Sequence, residues 1–253
     1  MKVFHNVKAF QEWRSSIAAD KTVGFIPTMG ALHEGHESLL QYSVKDNDFT
    51  VLSIFVNPTQ FNNPDDLKNY PKTFESDLQM AQKNGVDAVF APDCMEELYP
   101  DQYRYQISES EFSYQLCGAH RPGHFNGVLS VVMKLLNLAD ANRAYFGEKD
   151  HQQLTLIEGM VETFFLKTKI IPCPTIRESN GLAKSSRNLR LTADELKLAP
   201  LLYQTITTVR DREQAILKLS EVGFKVDYLE DHHQRRYVAA HLGKVRLIDN
   251  VQL

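Results

Sequence analysis

Cysteine is scarce in this chain of 253 residues, and long apolar runs are missing. Cys94, Cys117 and Cys173 are widely spaced and form no C-x-x-C pair, which argues against a disulfide framework and against a cysteine zinc site. No stretch approaches the length of a membrane span, and the N-terminus has no apolar segment of the kind that directs secretion. We therefore expect a cytoplasmic protein that does not associate with membranes.

A strong excess of charge of one sign is also missing. The chain carries 28 Lys and Arg against 32 Asp and Glu, a formal net charge of −4, so no global property predicts a nucleic-acid partner. This balance still permits a local basic pocket for a phosphate-bearing small molecule. Hydrophobic residues make up 43% of the chain, which is enough for the core of a globular protein.

Short apolar runs alternate with longer amphipathic stretches, a pattern typical of βαβ units around a parallel sheet. The predicted strands are Val23–Ile26, Thr50–Val56, Val86–Phe90, Arg143–Phe146 and Thr168–Pro172. The predicted helices are His36–Val44, Thr73–Lys83, Gly127–Leu138 and Gln152–Phe164. We therefore predict an α/β fold in which residues 1–176 form a Rossmann-like parallel sheet with helices on both faces.

The pattern changes after about Ile176. Residues Glu195–Glu221 are predicted to be helical, and three short strands are predicted to follow at Val226–Leu229, Arg236–Ala240 and Lys244–Ile248. We therefore predict a small C-terminal α+β domain formed by residues 177–253.

Residues 24–40, GFIPTMGALHEGHESLL, combine a buried strand, a glycine-containing turn and the start of a helix. Gly30 and Gly35 permit close backbone approaches that a Cβ atom would obstruct. The helix start offers unpaired N–H groups to phosphate oxygens, and His33 and His36, three residues apart, can face one ligand together. This arrangement resembles the HIGH-motif nucleotidyl-transferring folds, in which an imidazole stabilises charge at the α-phosphate and the departing pyrophosphate.

The same segment also resembles the signature of the pantothenate synthetase family, and further matches follow in order along nearly the whole chain. The matching segments are residues 55–61 (FVNPTQF), 70–73 (YPKT) with 77–78 (DL), 121–128 (RPGHFNGV), 146–150 (FGEKD) with 152–154 (QQL), 177–178 (RE), 181–183 (GLA), 185–188 (SSRN), 226–229 (VDYL) and 246–250 (RLIDN). Three positions differ from the family pattern: Lys72 replaces the usual arginine, Lys184 a common methionine, and Cys117 a frequent acidic residue.

This resemblance implies ATP-dependent condensation of (R)-pantoate with β-alanine, through a pantoyl-adenylate, to pantothenate, AMP and pyrophosphate. The catalytic residues that it implies are His33, His36, Lys149, Ser186 and Arg187. The implied ATP-binding residues are Met29, Gly30, His33, His36, Gly147, Glu148, Lys149, Asp150, Ile176, Lys184, Ser185, Ser186 and Arg187. Mg²⁺ is expected with ATP, and Asp150 is a candidate ligand for it. Ser185, Ser186 and Arg187 resemble the mobile KMSKS-like loop that grips the triphosphate.

Gln60 and Gln153 are the predicted binding residues for pantoate and β-alanine. A carboxylate that attacks phosphorus should be held without a tight cationic partner, which would lower its nucleophilicity, and neutral amides can do this. Arg121 and His124 could contact substrate or form a turn before the next helix, and the sequence leaves both open.

The adenylate must be shielded from water, so we expect a lid. One candidate is Phe61–Tyr70, and the other is the C-terminal unit, which is shorter than in many relatives by roughly 20–30 residues. The family resemblance also implies a homodimer formed through the N-terminal domain.

Two other functions compete with this ligase. A nucleotidylyltransferase acting on a phosphate-bearing acceptor shares the HxGH fold, but the FVNPTQF and GEKDHQQL motifs favour the ligase. A non-catalytic nucleotide-binding module would bind ATP without turnover, which the set of His33, His36, Lys149 and Arg187 disfavours.

Overall fold

The computed structural model describes every residue from Met1 to Leu253. The nine strands are β1 (Lys2–Phe4), β2 (Val23–Thr28), β3 (Phe49–Ile54), β4 (Ala88–Phe90), β5 (Arg143–Gly147), β6 (Lys169–Cys173), β7 (Phe224–His232), β8 (Arg235–Leu242) and β9 (Val245–Gln252). The eleven helices are α1 (Val7–Ser15), α2 (Glu34–Asp46), α3 (Pro64–Lys68), α4 (Phe74–Lys83), α5 (Met95–Leu98), α6 (Cys117–His120), α7 (His124–Ala139), α8 (His151–Thr163), α9 (Ala193–Leu198), α10 (Leu201–Thr208) and α11 (Arg212–Glu221).

The first six strands form one parallel sheet in the spatial order β1-β4-β3-β2-β5-β6. After β2, the chain adds β3 and then β4 on one side, where β1 forms the edge of the sheet. It then adds β5 and β6 on the other side of β2. The order therefore reverses between β2 and β5, and open α/β sheets bind ligands at the carboxyl ends of the strands beside such a switch point. The β2–β5 pairing ends at Phe25 and Ala144, so the last residues of β2 separate from β5 and open a crevice.

Helices cover both faces of this sheet because its buried strands alternate their side chains between two cores. In β2, Val23 and Phe25 belong to the core that contains α7 and α8 residues, whereas Ile26 belongs to the core that contains Leu39 and Leu40 of α2. The parallel, doubly covered sheet confirms the predicted fold class.

The last three strands form an antiparallel sheet, β7-β8-β9, joined by tight turns. Val238 and Ala240 of β8 pack with helices α10 and α11 in a separate C-terminal core. Tyr237 and Ala239, on the opposite face of the strand, belong to the main core of the parallel-sheet domain. The small C-terminal α+β unit is therefore present and packs firmly on the first, and the boundary at residue 176 remains a prediction.

Several predicted element boundaries were wrong, and five elements were missed: strand β1 and the helices α1, α3, α5 and α6. Strand β2 continues beyond Ile26 to Thr28 because it pairs with β3 along its whole length. Helix α2 begins at Glu34, earlier than the predicted His36, because the His33 imidazole caps it.

The predicted helix Glu195–Glu221 was wrong as a single element. Pro200 separates α9 from α10, and Asp211 ends the connection after α10 by accepting a hydrogen bond from Gln214 N at the start of α11. The three C-terminal strands exist but are longer than predicted, and β9 extends to Gln252. None of the helices combines the length and the hydropathy that a membrane-spanning helix requires.

Candidate functional site

A cleft lies at the carboxyl ends of β2, β3, β5 and β6, where the strand order reverses. It encloses about 1250 Å³ of space free of protein atoms, part of it open to solvent, which is room for a nucleotide and a small acid together. Its lining includes most of the predicted site residues: Met29, His33, His36, Gln60, Gly147, Lys149, Asp150, Gln153, Ile176, Lys184, Ser185, Ser186 and Arg187. The structure therefore brings together in one cleft residues that are far apart in the sequence.

His33 and His36 cap the N-terminus of α2 reciprocally. Gly35 N donates to Nδ1 of His33 at 3.1 Å, and His33 N donates to Nδ1 of His36 at 3.3 Å. Because each Nδ1 accepts a hydrogen bond from a backbone N–H, the ring proton of each neutral imidazole lies on Nε2. The two ring centroids are 4.1 Å apart, so the two imidazoles lie against each other.

Both imidazoles are neutral near pH 7. Burial, and then the positive charge of Lys149, lowers the pKa of His33 to about 4. Burial, and then the neighbouring His33, lowers the pKa of His36 to about 3. These rings can therefore serve as hydrogen-bond donors to phosphate oxygens without carrying a charge of their own.

The turn between β2 and α2 is held by a buried carboxylate. Asp77, which is 2% exposed, accepts hydrogen bonds from Ala31 N at 3.0 Å, Leu32 N at 2.8 Å and Thr73 Oγ1 at 3.1 Å. Gly30 adopts φ +78°, and a Cβ atom there would lie 3.0 Å from this carboxylate. Asp77 thus fixes the turn that leads into the two histidines.

Lys149 and Asp150 belong to a 3-10 turn that follows β5 and faces the cleft. Lys149 Nζ lies 3.4 Å from Asp150 Oδ2. Burial opposes ionisation of Asp150, but the charges of Lys149 and Arg187 hold the pKa of its carboxyl below the ordinary value. The turn therefore presents an ammonium and an ionised carboxylate side by side.

The Ser185–Arg187 loop faces this turn from the other side of the cleft. Ser185 Oγ accepts a hydrogen bond from Arg187 N at 3.3 Å and caps the 3-10 turn of residues 186–190. The Arg187 guanidinium lies 3.4 Å from Asp66, which also accepts a hydrogen bond from Arg190. Asp66 lies in α3, so the segment Phe61–Tyr70 is linked directly to the serine–arginine loop.

Lys184, the residue that departs from the common methionine, is neutralised by two carboxylates. Its Nζ lies 2.7 Å from Glu178 and 2.9 Å from Glu34 at the first turn of α2. The hydrogen bonds to Glu178 and Glu34 raise the pKa of Lys184. The extra positive charge is therefore offset locally, and Lys184 joins the loop to the histidine helix.

Gln60 is oriented by a buried network. Asn57 Nδ2 donates to Gln60 Oε1 at 3.1 Å, so the Gln60 amide group is left as the donor, and it lies 3.1 Å from Met29 Sδ. His124 Nδ1 donates to the Gln60 carbonyl at 2.9 Å while its Nε2 accepts from Arg121 at 3.0 Å. Arg121 and His124 therefore support the backbone of Gln60, which favours the turn alternative for this motif.

The two consecutive glutamines of the QQL motif have different surroundings. Gln152 is 4% exposed and uses its side chain to bind Phe112 O, Gln115 O and Cys117 N. Gln153 lines the cleft with Gln60. The sequence prediction for Gln153 is therefore compatible with the fold, and Gln152 serves the packing of the preceding loop.

Two predicted nucleotide-binding residues do not line the cleft. Gly30 faces Asp77 and bends the chain, because its N–H is bonded to Thr28 Oγ1 at 3.2 Å. Glu148 points towards the β6 side, where burial and the Glu148 carboxylate raise the pKa of Cys173 to about 12.

Asn57, Asp77 and Asn250 were given no role from the sequence, and Tyr70 was noted only as the end of a candidate lid. Asn57 and Tyr70 line the cleft, and Asp77 and Asn250 hold its walls. Each of them lies in a motif that was identified, so motif membership was the available signal. Their partners are distant in sequence, which is why spacing alone did not reveal them.

The carboxylate chemistry of the cleft fits a magnesium ion that arrives with a nucleotide. No group of three or more His, Cys, Asp or Glu side chains is arranged to hold a metal. Mg²⁺ commonly binds through one or two carboxylates plus substrate phosphates, and Asp150 is a carboxylate placed for this in the cleft.

Known proteins resemble this chain over its whole length. The family model for pantoate-beta-alanine ligase matches residues 2–252. Pantothenate synthetases of Bdellovibrio bacteriovorus and Legionella pneumophila are 58% and 48% identical, and the alignments cover 100% of this chain and 99% and 100% of theirs. The chain thus has nearly the same length as these relatives.

Two solved structures have the same fold as this chain. Pantoate-beta-alanine ligase from Francisella tularensis, complexed with beta-gamma ATP and beta-alanine, superposes with a TM-score of 0.96 at 42% identity, covering 100% of this chain and 97% of that one. Pantothenate synthetase from Thermus thermophilus gives a TM-score of 0.90 at 36% identity, covering 100% and 99%. The chain described here therefore belongs to the pantoate–β-alanine ligase family.

Proposed function

We propose that this protein condenses (R)-pantoate with β-alanine at the expense of ATP, giving pantothenate, AMP and pyrophosphate. The observation that carries the proposal is the cleft at the switch point, in which neutral amides and a set of cationic and imidazole donors face one another. The names of the relatives and the ligands of the Francisella structure agree with this activity.

In the first half-reaction, a carboxylate oxygen of pantoate attacks the α-phosphorus of ATP. A bond forms between that oxygen and phosphorus, the bond to the β-phosphate oxygen breaks, and pyrophosphate leaves. His33 and His36 donate from Nε2 to oxygens on which charge accumulates, and Lys149, Ser186 and Arg187 offset the remaining charge. Gln60 and Gln153 hold pantoate without neutralising its carboxylate.

In the second half-reaction, the neutral amine of β-alanine attacks the acyl carbon of pantoyl-adenylate. The new C–N bond replaces the bond from the acyl carbon to the AMP oxygen, AMP leaves with both electrons of that bond, and the nitrogen loses one proton to water. No covalent enzyme nucleophile is needed. In the first half-reaction, Mg²⁺ held near Asp150 would neutralise part of the triphosphate charge.

We propose that two segments together shield the adenylate. Asp66, within Phe61–Tyr70, contacts Arg187 and Arg190 of the serine–arginine loop. Burial opposes ionisation of Asp66, but the charges of Arg187 and Arg190 hold its pKa below the ordinary value. The ion pairs therefore persist at neutral pH and couple the two predicted lids.

We also propose that the protein is a cytoplasmic homodimer formed through its N-terminal domain. Strand β6 is an unpaired sheet edge, and Phe164 and Phe165, just before it, are 53% and 91% exposed. All three cysteines are free, as reducing compartments favour. Sedimentation equilibrium should give twice the chain mass, and a monomer at micromolar concentration would contradict the dimer.

The direct test incubates the protein with ATP, Mg²⁺, pantoate and β-alanine, and omits each in turn. Free AMP should form only when all are present, in equal amount to pantothenate. The nucleotidylyltransferase alternative predicts a stable AMP-containing product that needs no β-alanine. The motifs FVNPTQF and GEKDHQQL, both at the cleft, favour the ligase.

A further inference from the structure

Strand β9 contains a pair of buried polar residues, Asp249 and Asn250, which are both 5% exposed. They belong to the RLIDN motif, to which the proposed reaction assigns no function. Buried polar side chains require partners, so their hydrogen bonds indicate what they hold.

Asn250 holds the turn that carries Lys149. Its Nδ2 donates to the carbonyl oxygen of Glu148 at 2.9 Å and to that of Lys149 at 3.0 Å. Its Oδ1 accepts from Arg235 Nη1 at 2.6 Å, which fixes the orientation of the amide. The side-chain amide of Asn250, in the C-terminal unit, thus donates both of its protons to backbone carbonyls of the turn that carries Lys149.

Asp249 holds the segment that leads to the serine–arginine loop. Its two carboxylate oxygens accept from Arg177 Nη1 at 2.6 Å and Nη2 at 2.8 Å. The same guanidinium donates to Gly181 O at 3.1 Å and lies 3.6 Å from the ring centroid of Tyr203. These contacts fix the side chain of Arg177, whose backbone pairs with Ala183 in an isolated β-bridge two residues before Ser185.

Consecutive residues of a strand point to opposite sides, so one short stretch of β9 reaches both walls of the cleft. One wall presents Lys149 and the other presents Ser185–Arg187. We propose that Asn250 is a positioning residue for Lys149, and that Asp249 and Asn250 together set the separation of the two walls around the triphosphate. This inference rests on the proposed function and extends it to residues outside the cleft lining.

The test is a double-mutant cycle between Asn250→Ala and Lys149→Met. Asn250→Ala should raise the Kd for a non-hydrolysable ATP analogue about 10-fold, and should lower kcat for pantoate-dependent pyrophosphate release 10- to 100-fold. The KM for pantoate, which Gln60 binds, should change less than 3-fold. In the Lys149→Met background, Asn250→Ala should have little further effect, because its action passes through Lys149.

Asn84→Ala is the matched control, because Asn84 Nδ2 also donates to a backbone carbonyl, Met80 O at 2.9 Å, but at the end of α4. Asn84→Ala should leave the Kd for the ATP analogue and the kcat for pyrophosphate release unchanged. If Asn250→Ala does not fold, Arg235→Gln, which removes only the partner of Asn250 Oδ1, should give a smaller loss of the same pattern.

Additive effects of the two substitutions, or an equal rise in KM for pantoate, would overturn the positioning role. The Kd measurement with the ATP analogue distinguishes a failure of this inference from a failure of the proposed function. If the wild-type protein bound the ATP analogue but made no pantothenate, the ligase proposal would fail, and the cycle on Kd would still decide whether Asn250 acts through Lys149.

Discussion

At the level of single residues, His36 has two separable functions, one for each ring nitrogen. Nδ1 accepts a hydrogen bond from His33 N and completes the helix cap, whereas Nε2–H is the donor available to a phosphate oxygen. A substitution by alanine removes both, so by itself it does not separate folding from catalysis. Substitution of His36 by asparagine or glutamine can separate the two functions.

We expect His36→Ala to lower adenylation by about 10²–10³-fold, measured as pantoate-dependent pyrophosphate release. His36→Asn, whose amide reaches the place of Nδ1, should be equally impaired. His36→Gln, whose amide nitrogen reaches the place of Nε2, should recover most of the activity. Near-normal pyrophosphate release from His36→Asn would remove the Nε2 donor from the mechanism.

Gln60 is expected to act on pantoate and not on ATP. Asn57 occupies its Oε1, so its amide donates one charge-assisted hydrogen bond to the substrate. Such a bond contributes about 1.5–3 kcal/mol, so Gln60→Met, which is similar in size, should raise the KM for pantoate by about 10- to 100-fold. The KM for ATP should stay within about 3-fold. An equal loss for both substrates would contradict the assignment.

At the level of elements, the HxGH helix start depends on Gly35 for steric reasons. A Cβ atom on Gly35 would lie 2.8 Å from Cε1 of the His33 ring, so the ring must move and its hydrogen bond to Gly35 N must distort. Gly159 in the middle of α8 has no atom within 4 Å of an added Cβ, so it provides a matched helical position.

We expect Gly35→Ala to lower adenylation at least 10-fold while the protein stays folded, because the displaced group is a side chain. Gly159→Ala should leave activity unchanged and stabilise the fold by about 0.5–1 kcal/mol through helix propensity. Thermal unfolding and steady-state kinetics on both variants make the comparison. Full activity of Gly35→Ala would show that the position of the His33 ring does not matter.

The central elements of the fold could be predicted because their apolar runs are long and clearly periodic. Strand β3 and helices α4, α7 and α8 were placed within three residues of their observed ends. Strand β1, with three residues, carries too little pattern, and its place is fixed by pairing with β4. Helix α2 starts earlier than expected because an imidazole acts as its cap, which a search for Ser, Thr, Asp or Asn overlooks.

At the level of the whole molecule, histidines with lowered pKa values make stability depend on pH. Burial, and then Arg121, lowers the pKa of His124 to about 3, against 6.5 for an ordinary histidine. Below pH 6.5 the unfolded chain binds a proton that the folded protein does not, so the free energy of unfolding falls as pH falls from 6.5 towards 3. The pKa values of His33, His36 and His151 are lowered as well and act in the same direction.

Between pH 6.5 and pH 5, His124 alone should account for a loss of about 2 kcal/mol in urea unfolding experiments. His124→Asn, which keeps a donor for the Gln60 carbonyl, should be less stable at pH 7 but should lose less stability on acidification. Parallel pH profiles for the two proteins would contradict a neutral, buried His124.

The residues of the cleft could be predicted because their motifs come directly after strands and at the beginnings of helices. Parallel strands end at one edge of the sheet, which brings His36, Gln60 and Lys149 together from separate segments. The supports of these residues were not predictable. Asp77 lies 45 residues from Leu32, and Asn250 lies 101 residues from Lys149, so only the folded chain reveals the contacts.

The fate of the pantoate oxygens tests the central claim most directly. With pantoate labelled with ¹⁸O in both carboxylate oxygens, attack on the α-phosphorus predicts that each AMP released carries one ¹⁸O atom and each pantothenate keeps one in its amide carbonyl. Mass spectrometry of both products gives the answer. Unlabelled AMP, or ¹⁸O in inorganic phosphate together with ADP, would contradict an acyl-adenylate at this site.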